Sequence, residues 1–494
     1  MKKFANALNK YFGINEADST IKTEVLAGLT TFFAMAYILV VNPATISSGV
    51  PKIYNAVYIA TALSAFLGTI LYAFLAKLPF AQASGMGLNA FFFVSFILPA
   101  FLTGGDPVQG YQKGLAVIIL SGIVFIILSV TGARKAIAES MPDSLKKAIP
   151  AGIGLFIAFI GLKNAGIIQP NQYTFVQLGN VAIEGGKLTV PAFNNPLNII
   201  AESSVSGVQI WYTMAPLFIA FIGLLLIAVL HQKKVKGSVF IGIIAMTAVY
   251  YLFNIGNKAL FDGLAHNDTS LGQAFKDFGE VGIFRGFVGF KYFESSFAGV
   301  MSVIMLVITF TLVDLFDTLG TLQGTAAEAG MLDENGLPIK LNKALMCDSI
   351  ATLGGAIFGT STVTTYVESS AGVSAGGRTG LTSLVTAICF LIFMLFAPLA
   401  KYIPSAATAP ALIFVGVLML KNIKEVDFSD LTSAVPAFLT LVLMPLTYSI
   451  SNGIAVGMIA HVIMKLATLK YTKKDIIPSI IAALFIIRFF AVKM

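Results

Sequence analysis

Charge is what this chain is short of. Asp, Glu, Lys and Arg make up 11% of its 494 residues, where a soluble domain carries roughly 25%. That scarcity excludes a globular surface facing water on all sides. Cysteine is nearly absent too: Cys347 and Cys389 both sit in apolar stretches, which excludes a disulfide framework. The three histidines, His231, His266 and His461, share no spacing, and no metal motif is visible, so no metal and no other cofactor is expected. No cleavable signal is read either, because the first apolar run begins only near Val25 and lacks a small-residue cleavage site.

What is there is hydrophobic. Apolar residues are 57% of the chain and the mean hydropathy is +0.86. Uncharged runs recur, among them Val25–Pro51, Ile53–Ala76, Leu78–Gly105, Gly114–Ala133, Ser203–Gln232 and Leu431–Met464. A helix needs about 20 apolar residues to cross the hydrocarbon, and in lipid every backbone polar group must be satisfied within the segment. The alternation of a membrane β-barrel is missing. The expected fold is therefore an all-α polytopic membrane protein of about 14 segments. We place them near 25–41, 56–76, 80–101, 114–132, 146–162, 213–230, 237–254, 296–320, 344–358, 361–375, 381–400, 403–420, 431–449 and 452–468. The stretch 476–492 reads equally as one more span or as an interfacial helix.

The net charge of +8 does not imply nucleic acid. Its clusters lie in short loops: Lys2/Lys3/Lys10, Arg134/Lys135/Lys146/Lys147, Lys233/Lys234/Lys236, Lys421/Lys424 and Lys470/Lys473/Lys474. Counting from a cytoplasmic N-terminus puts nearly all of them inside, as the positive-inside rule requires. Trp211 and the many other aromatics need only interfacial or packing roles. The loops 163–212 and 255–295 are then external, and 323–343 is cytoplasmic. With short loops and no organellar targeting segment, the expected location is the plasma membrane.

A weak repeat runs through the chain. Residues 149–164 read IPAGIGLFIAFIGLKN and 403–422 read IPSAATAPALIFVGVLMLKN. Each lies two segments after a span interrupted by small polar residues: LPFAQASGMGLNA at 78–90 and GTSTVTTYVESSAGVSAGG at 359–377. Two halves of seven segments, 21–255 and 295–494, would be inverted relative to each other, flanked by a cytoplasmic 1–20 and separated by an external 256–294. Paired broken helices in matching positions point to a transport site.

Charge inside these segments carries the chemistry. TLVDLFDTLG places Asp314 and Asp317 three residues apart on one helical face. An ionised Asp at a helix centre costs roughly 2.5–3.5 kcal/mol on insertion scales, and the span holds no Lys or Arg to offset it. The bland alternative is that both cap or snorkel near the cytoplasmic end. Glu368 sits in the second broken segment, where an extended Val363–Tyr366 followed by a half-helix would aim N–H groups at a solute; a water-exposed loop glutamate is the alternative. Asn89 follows Gly85 and Gly87, which permit close backbone approach; interhelical glue is its alternative role. Asp348 and Glu24 lie beside apolar runs near expected ends, and interfacial placement is expected for both. Acids and an amide without a basic partner suit a solute that donates hydrogen bonds and repel anions. Burial favours a neutral carboxyl, so one of the acids is a candidate to carry a proton. A purine base offers ring N–H and amine donors to a carboxylate and acceptors to backbone N–H.

TTFFAMAYILVVNP at 30–43, SGMGLNAFF at 84–92, VDLFDTLGTL at 313–322 and ESSAG at 368–372 resemble the AzgA-like purine permeases, a branch of the nucleobase:cation symporter-2 family. The resemblance runs from about Asn15 to the C-terminus. It implies a seven-plus-seven inverted repeat with a core domain, 21–135 and 295–400, and a gate domain, 140–255 and 401–494. It implies a purine site between the broken segments, with Glu368, Asp314, Asn89, Thr365 and Gly87 at the base, and Asp314, Asp317 and Glu368 in proton coupling. It also implies alternating access in which the core moves against the gate, two copies able to pair through the gate. The wider family often has Glu and His in segment eight; Asp and Asp here fit the AzgA-like branch better. Sodium coupling stays open at this point, as does the choice among adenine, guanine and hypoxanthine. The rival readings are an anion carrier of similar fold, opposed by the acids, a channel, and a membrane enzyme, for which no nucleophile or cofactor motif speaks.

Overall fold

The computed structural model describes residues 2–132, 140–171, 175–178, 182–184, 187–191, 202–205, 207–235, 237–255, 270–334, 338–400 and 402–491. Arg134, Lys135, Lys236 and His266, named above, lie outside the described residues. Helices dominate, as the apolar runs require. After an N-terminal helix α1 (Lys2–Phe12), the first half comprises α2 (Ile21–Met35), α3 (Ile38–Ser47), α4 (Pro51–Leu71), strand β1 (Gln82–Ser84), α5 (Met86–Phe92), α6 (Pro107–Val130), α7 (Asp143–Asn164), α8 (Gly207–Gln232) and α9 (Ser238–Phe253). The 163–212 segment, expected to be an external loop, contains strands β2 (Ile168–Asn171), β3 (Phe175–Leu178), β4 (Ala182–Glu184), β5 (Lys187–Pro191) and β6 (Glu202–Val205), paired antiparallel as β2–β3 and β4–β5–β6.

The second half holds α10 (Phe297–Glu328), α11 (Leu341–Phe358), strand β7 (Val363–Thr365), α12 (Ser369–Ser374), α13 (Gly380–Phe393), α14 (Ser405–Met419), α15 (Leu431–Leu446), α16 (Ile450–Ala467) and α17 (Ile476–Ala491). Among the described residues eight helices are long and apolar enough to cross a membrane, and four more are apolar but shorter. Adding α11 and the strand–helix segment 363–374 makes the fourteen segments expected. Helix α10 continues eight residues past the expected end at 320; the hydroxyls of Thr321 and Thr325 are satisfied within it, donating to Asp317 O and Thr321 O at 2.8 Å each.

The packing follows the pattern a two-fold internal repeat produces. Helix α2 packs on α13 while α10 packs on α6; α4 packs on α13 while α11 packs on α6; α8 packs on α14 while α15 packs on α7. Each contact maps onto the next when the halves are exchanged. The repeated Ile-Pro segments, α7 and α14, pack against each other. A Cβ at Gly154 would lie 2.9 Å from Gly416 O, and one at Gly416 would run into Gly154 O, so both glycines are needed for the crossing.

The broken segments meet at the centre. Strands β1 and β7 pair antiparallel with Gln82 opposite Thr365, Ala83 opposite Thr364 and Ser84 opposite Val363. Gly85 N donates to Thr362 O and Tyr366 N to Ala81 O, each at 3.0 Å. Backbone that leaves the helix at this depth is thus paired within the protein, as a lipid environment demands.

Glu24 corrects an expectation. It is fully buried rather than interfacial, because it accepts from Arg378 N at 3.0 Å, Thr379 N at 3.2 Å and Thr382 Oγ1 at 2.6 Å, satisfying donors at the start of α13. Nearby, α12 leans on α2: a Cβ on Gly372 would fall almost on Thr31 Oγ1 and 2.8 Å from Ala27 O. Gly372→Ala is expected to destabilise by about 1–3 kcal/mol through overpacking, read as a lower melting temperature of the purified protein. Partial recovery by Thr31→Ala would confirm the cause, and an unchanged melting temperature would refute it.

Candidate functional site

Beside the β1–β7 crossing lies a small cavity of roughly 30 Å³. One wall carries Asp317 and Thr321 of α10, Gly87 of α5, and Thr364, Thr365, Tyr366 and Glu368 of the second broken segment. The rest of the lining is mainly apolar and comes largely from α7 (Ile153, Ile157) and α14 (Val415, Met419). Two acids therefore share one lining with apolar side chains, and among the described residues no Lys, Arg or His lines the space.

Glu368 is the residue immediately before α12 and is half-buried. Its Oε1 accepts from the Tyr37 hydroxyl at 2.6 Å. Tyr37 lies in the break between α2 and α3. Asp317 is 7% exposed, and its Oδ2 would be 3.7 Å from a Cβ at Gly85, an ordinary contact distance, so the first broken segment runs beside this acid. Thr365 Oγ1 pairs with Tyr72 Oη at 2.6 Å. At Gly87 a Cβ would come within 2.9 Å of Ile153 and 3.0 Å of Ile450; this glycine admits the α7 and α16 side chains over the start of α5.

Two residues expected at the base are set back from the cavity. Asp314 is fully buried, and its Oδ2 accepts from Thr352 Oγ1 at 3.0 Å. The same Thr352 oxygen accepts from Val363 N at 3.2 Å, so Asp314 is tied to strand β7 from behind. The physical reason is helical geometry: three residues turn the direction by about 60° and shift it by about 4.5 Å, enough to send one Asp to the cavity and the other to α11. Asn89 faces a polar cluster instead. Its Oδ1 accepts from Ser84 Oγ at 2.9 Å; Ser84 Oγ lies 3.0 Å from Thr360 Oγ1, which accepts from Asn42 Nδ2 at 2.9 Å.

Several residues escaped the sequence reading. Asp348, expected at an interface, is fully buried; its Oδ1 accepts from Thr318 Oγ1 at 2.8 Å and Gln82 Nε2 at 3.3 Å, and Thr318 pairs with Thr364 at 2.8 Å. This ladder joins α10, α11 and both strands. Asp348 looked terminal because the polar loop ends a few residues earlier, but α11 begins at Leu341 and is enclosed by α4 and α6. Tyr37 and Tyr366 looked like packing aromatics. Tyr366 donates to Ser84 O. A Tyr in an otherwise apolar run is itself a signal, since its hydroxyl needs a partner when buried.

A polytopic helical protein whose two broken segments cross beside an acid-lined cavity is a membrane transporter. The chain belongs to the permease family: the family model Xan_ur_permease, described as "Permease family", matches residues 22–215 and 200–456. It is 38% identical over 97% of its length to the guanine/hypoxanthine permease PbuO of Bacillus subtilis, covering 99% of that protein. It is 34% identical over 98% of its length to the adenine permease AdeQ of Escherichia coli, covering 96% of that protein. These relatives are permeases, and the chain is a transporter rather than an enzyme. In fold it is similar to the transmembrane domain of BicA, a cyanobacterial bicarbonate transporter, with a TM-score of 0.57, 16% identity, and coverage of 89% of this chain and 97% of that one.

Proposed function

We propose that the protein imports purine bases across the plasma membrane in symport with protons, by alternating access. The observation that carries this reading is the pair of carboxylates, Asp317 and Glu368, that line one small cavity with no basic lining residue among those described. Carboxylates accept from the ring N–H and exocyclic amine of a base, and the apolar wall suits its flat faces. The relatives named as guanine/hypoxanthine and adenine permeases support the purine class. Glu368 accepts from the base, Thr365 and Gly87 border it, and Asp317 carries the coupled proton. Asp314 and Asn89 hold the two strands from behind.

The apolar lining residues Ile153, Ile157, Val415 and Met419 come from 140–255 and 401–494, whereas Asp317 and Glu368 come from 295–400, which is in keeping with a division into a core, 21–135 and 295–400, and a gate, 140–255 and 401–494. Movement of one wall along the other would open the cavity to each side in turn. Placing the N-terminus in the cytoplasm puts Lys421, Lys424, Lys470, Lys473 and Lys474 on the same side, in keeping with the positive-inside rule. An anion carrier is disfavoured by the same two acids, and the likeness to a bicarbonate transporter is one of fold.

The test is uptake of labelled hypoxanthine, guanine and adenine in cells lacking their own purine carriers, with and without a protonophore. Uptake of at least one base, collapsing with the protonophore, is expected. Background uptake of all three by well-expressed protein would overturn the purine assignment, and protonophore-resistant concentrative uptake would overturn proton coupling in favour of sodium.

A further inference from the structure

We infer that Tyr37 is the positioning residue for the substrate carboxylate, an inference that rests on the purine reading of the cavity. Glu368 belongs to a short piece of chain between a three-residue strand and a six-residue helix. Such a piece cannot fix a long side chain by itself, because neither element is long enough to be stable alone. What holds it is helix α2 and the break after it. Running against 368–382 in the opposite direction, this element makes three attachments. Glu24 accepts from the backbone at Arg378 and Thr379. Thr31 and Ala27 are met by the bare face of Gly372. Tyr37 donates to Glu368 Oε1 at 2.6 Å.

Only the third attachment ends on the carboxylate. Tyr37 is fully buried and its ring has no freedom to follow Glu368 elsewhere. One oxygen of Glu368 is therefore held by the phenol while the side chain borders the cavity. A charge-assisted bond of this length is of the stronger kind, and fixing the carboxylate before substrate arrives removes part of the ordering cost of binding. Tyr37 stabilises the substrate complex without being required to touch the substrate.

The experiment is a double-mutant cycle on the purified full-length protein, with binding of labelled hypoxanthine, guanine and adenine as the readout. Tyr37→Phe is expected to weaken binding of the accepted base about tenfold, the value of one charge-assisted hydrogen bond, and to raise the uptake KM more than it lowers the maximal rate. Glu368→Asp shortens the side chain by one methylene and withdraws the carboxylate from the phenol. In that background Tyr37→Phe should change affinity less than about twofold. A role confined to general stability would give the same loss in both backgrounds and would overturn the inference. So would wild-type affinity in the single variant. Failure of the wild-type protein to bind any of the three bases overturns the purine reading and the inference with it.

Discussion

Glu368→Gln is expected to reduce purine uptake at least a hundredfold while the protein reaches the membrane in normal amount. The substitution is isosteric, and the amide oxygen still accepts from Tyr37, so the local fold has no reason to change. What changes is the face toward the cavity. One oxygen lone-pair set becomes an NH₂ group, and the negative charge is lost. A base presenting N–H donors then meets a donor, and its own polar edge is buried unpaired. Removing one partner of a buried, hydrogen-bonded charge costs about 2–5 kcal/mol, and each 1.4 kcal/mol or so is a factor of ten. The check is the uptake KM and maximal rate of the variant at matched membrane abundance. A KM within about threefold of wild type, under half a decade in affinity, would remove Glu368 from the binding site.

The site was legible in the sequence where chemistry contradicted environment. A stretch such as GTSTVTTYVESSAG is too polar to face lipid, and its Glu costs too much unless it works; both broken segments were placed that way, and the strand–helix junction falls where expected, with β7 ending one residue early. Helical spacing likewise put Asp314 and Asp317 on one face. It did not tell which of them borders the cavity, because that depends on where β7 crosses α10, a tertiary fact. The same limit hid Asp348 and Glu24. Hydropathy locates the ends of apolar runs, and an acid near an end reads as interfacial, whereas in the fold both are enclosed by backbone N–H, Thr and Gln donors from distant segments. Tyr37 was invisible for a related reason: its partner lies in the other half of the chain, and nothing local distinguishes it from a packing aromatic except its hydroxyl.

The division of labour between the two aspartates yields the second large effect. Asp317→Asn is expected to abolish concentrative uptake, with accumulation against a gradient falling to the equilibrium level, while exchange of labelled for unlabelled base across the membrane persists. The reasoning is that Asp317 borders the cavity beside the approach of Gly85, where a carboxyl alternately exposed to two compartments can load and release a proton. An amide of the same shape keeps the cavity volume but holds no exchangeable charge. Asp314→Asn should behave differently. Its oxygen still accepts from Thr352, and it lies behind β7 rather than on the cavity, so its loss is expected to lower transport through a loosened strand, together with thermal stability. Uptake driven by an imposed pH gradient in proteoliposomes, measured beside base exchange and melting temperature, separates the two. If Asp317→Asn still accumulates base against its gradient, the coupling role passes to Glu368 or Asp314. If Asp314→Asn loses gradient-driven uptake with exchange and stability intact, the set-back aspartate is the proton carrier and the ladder through Thr352 is its route.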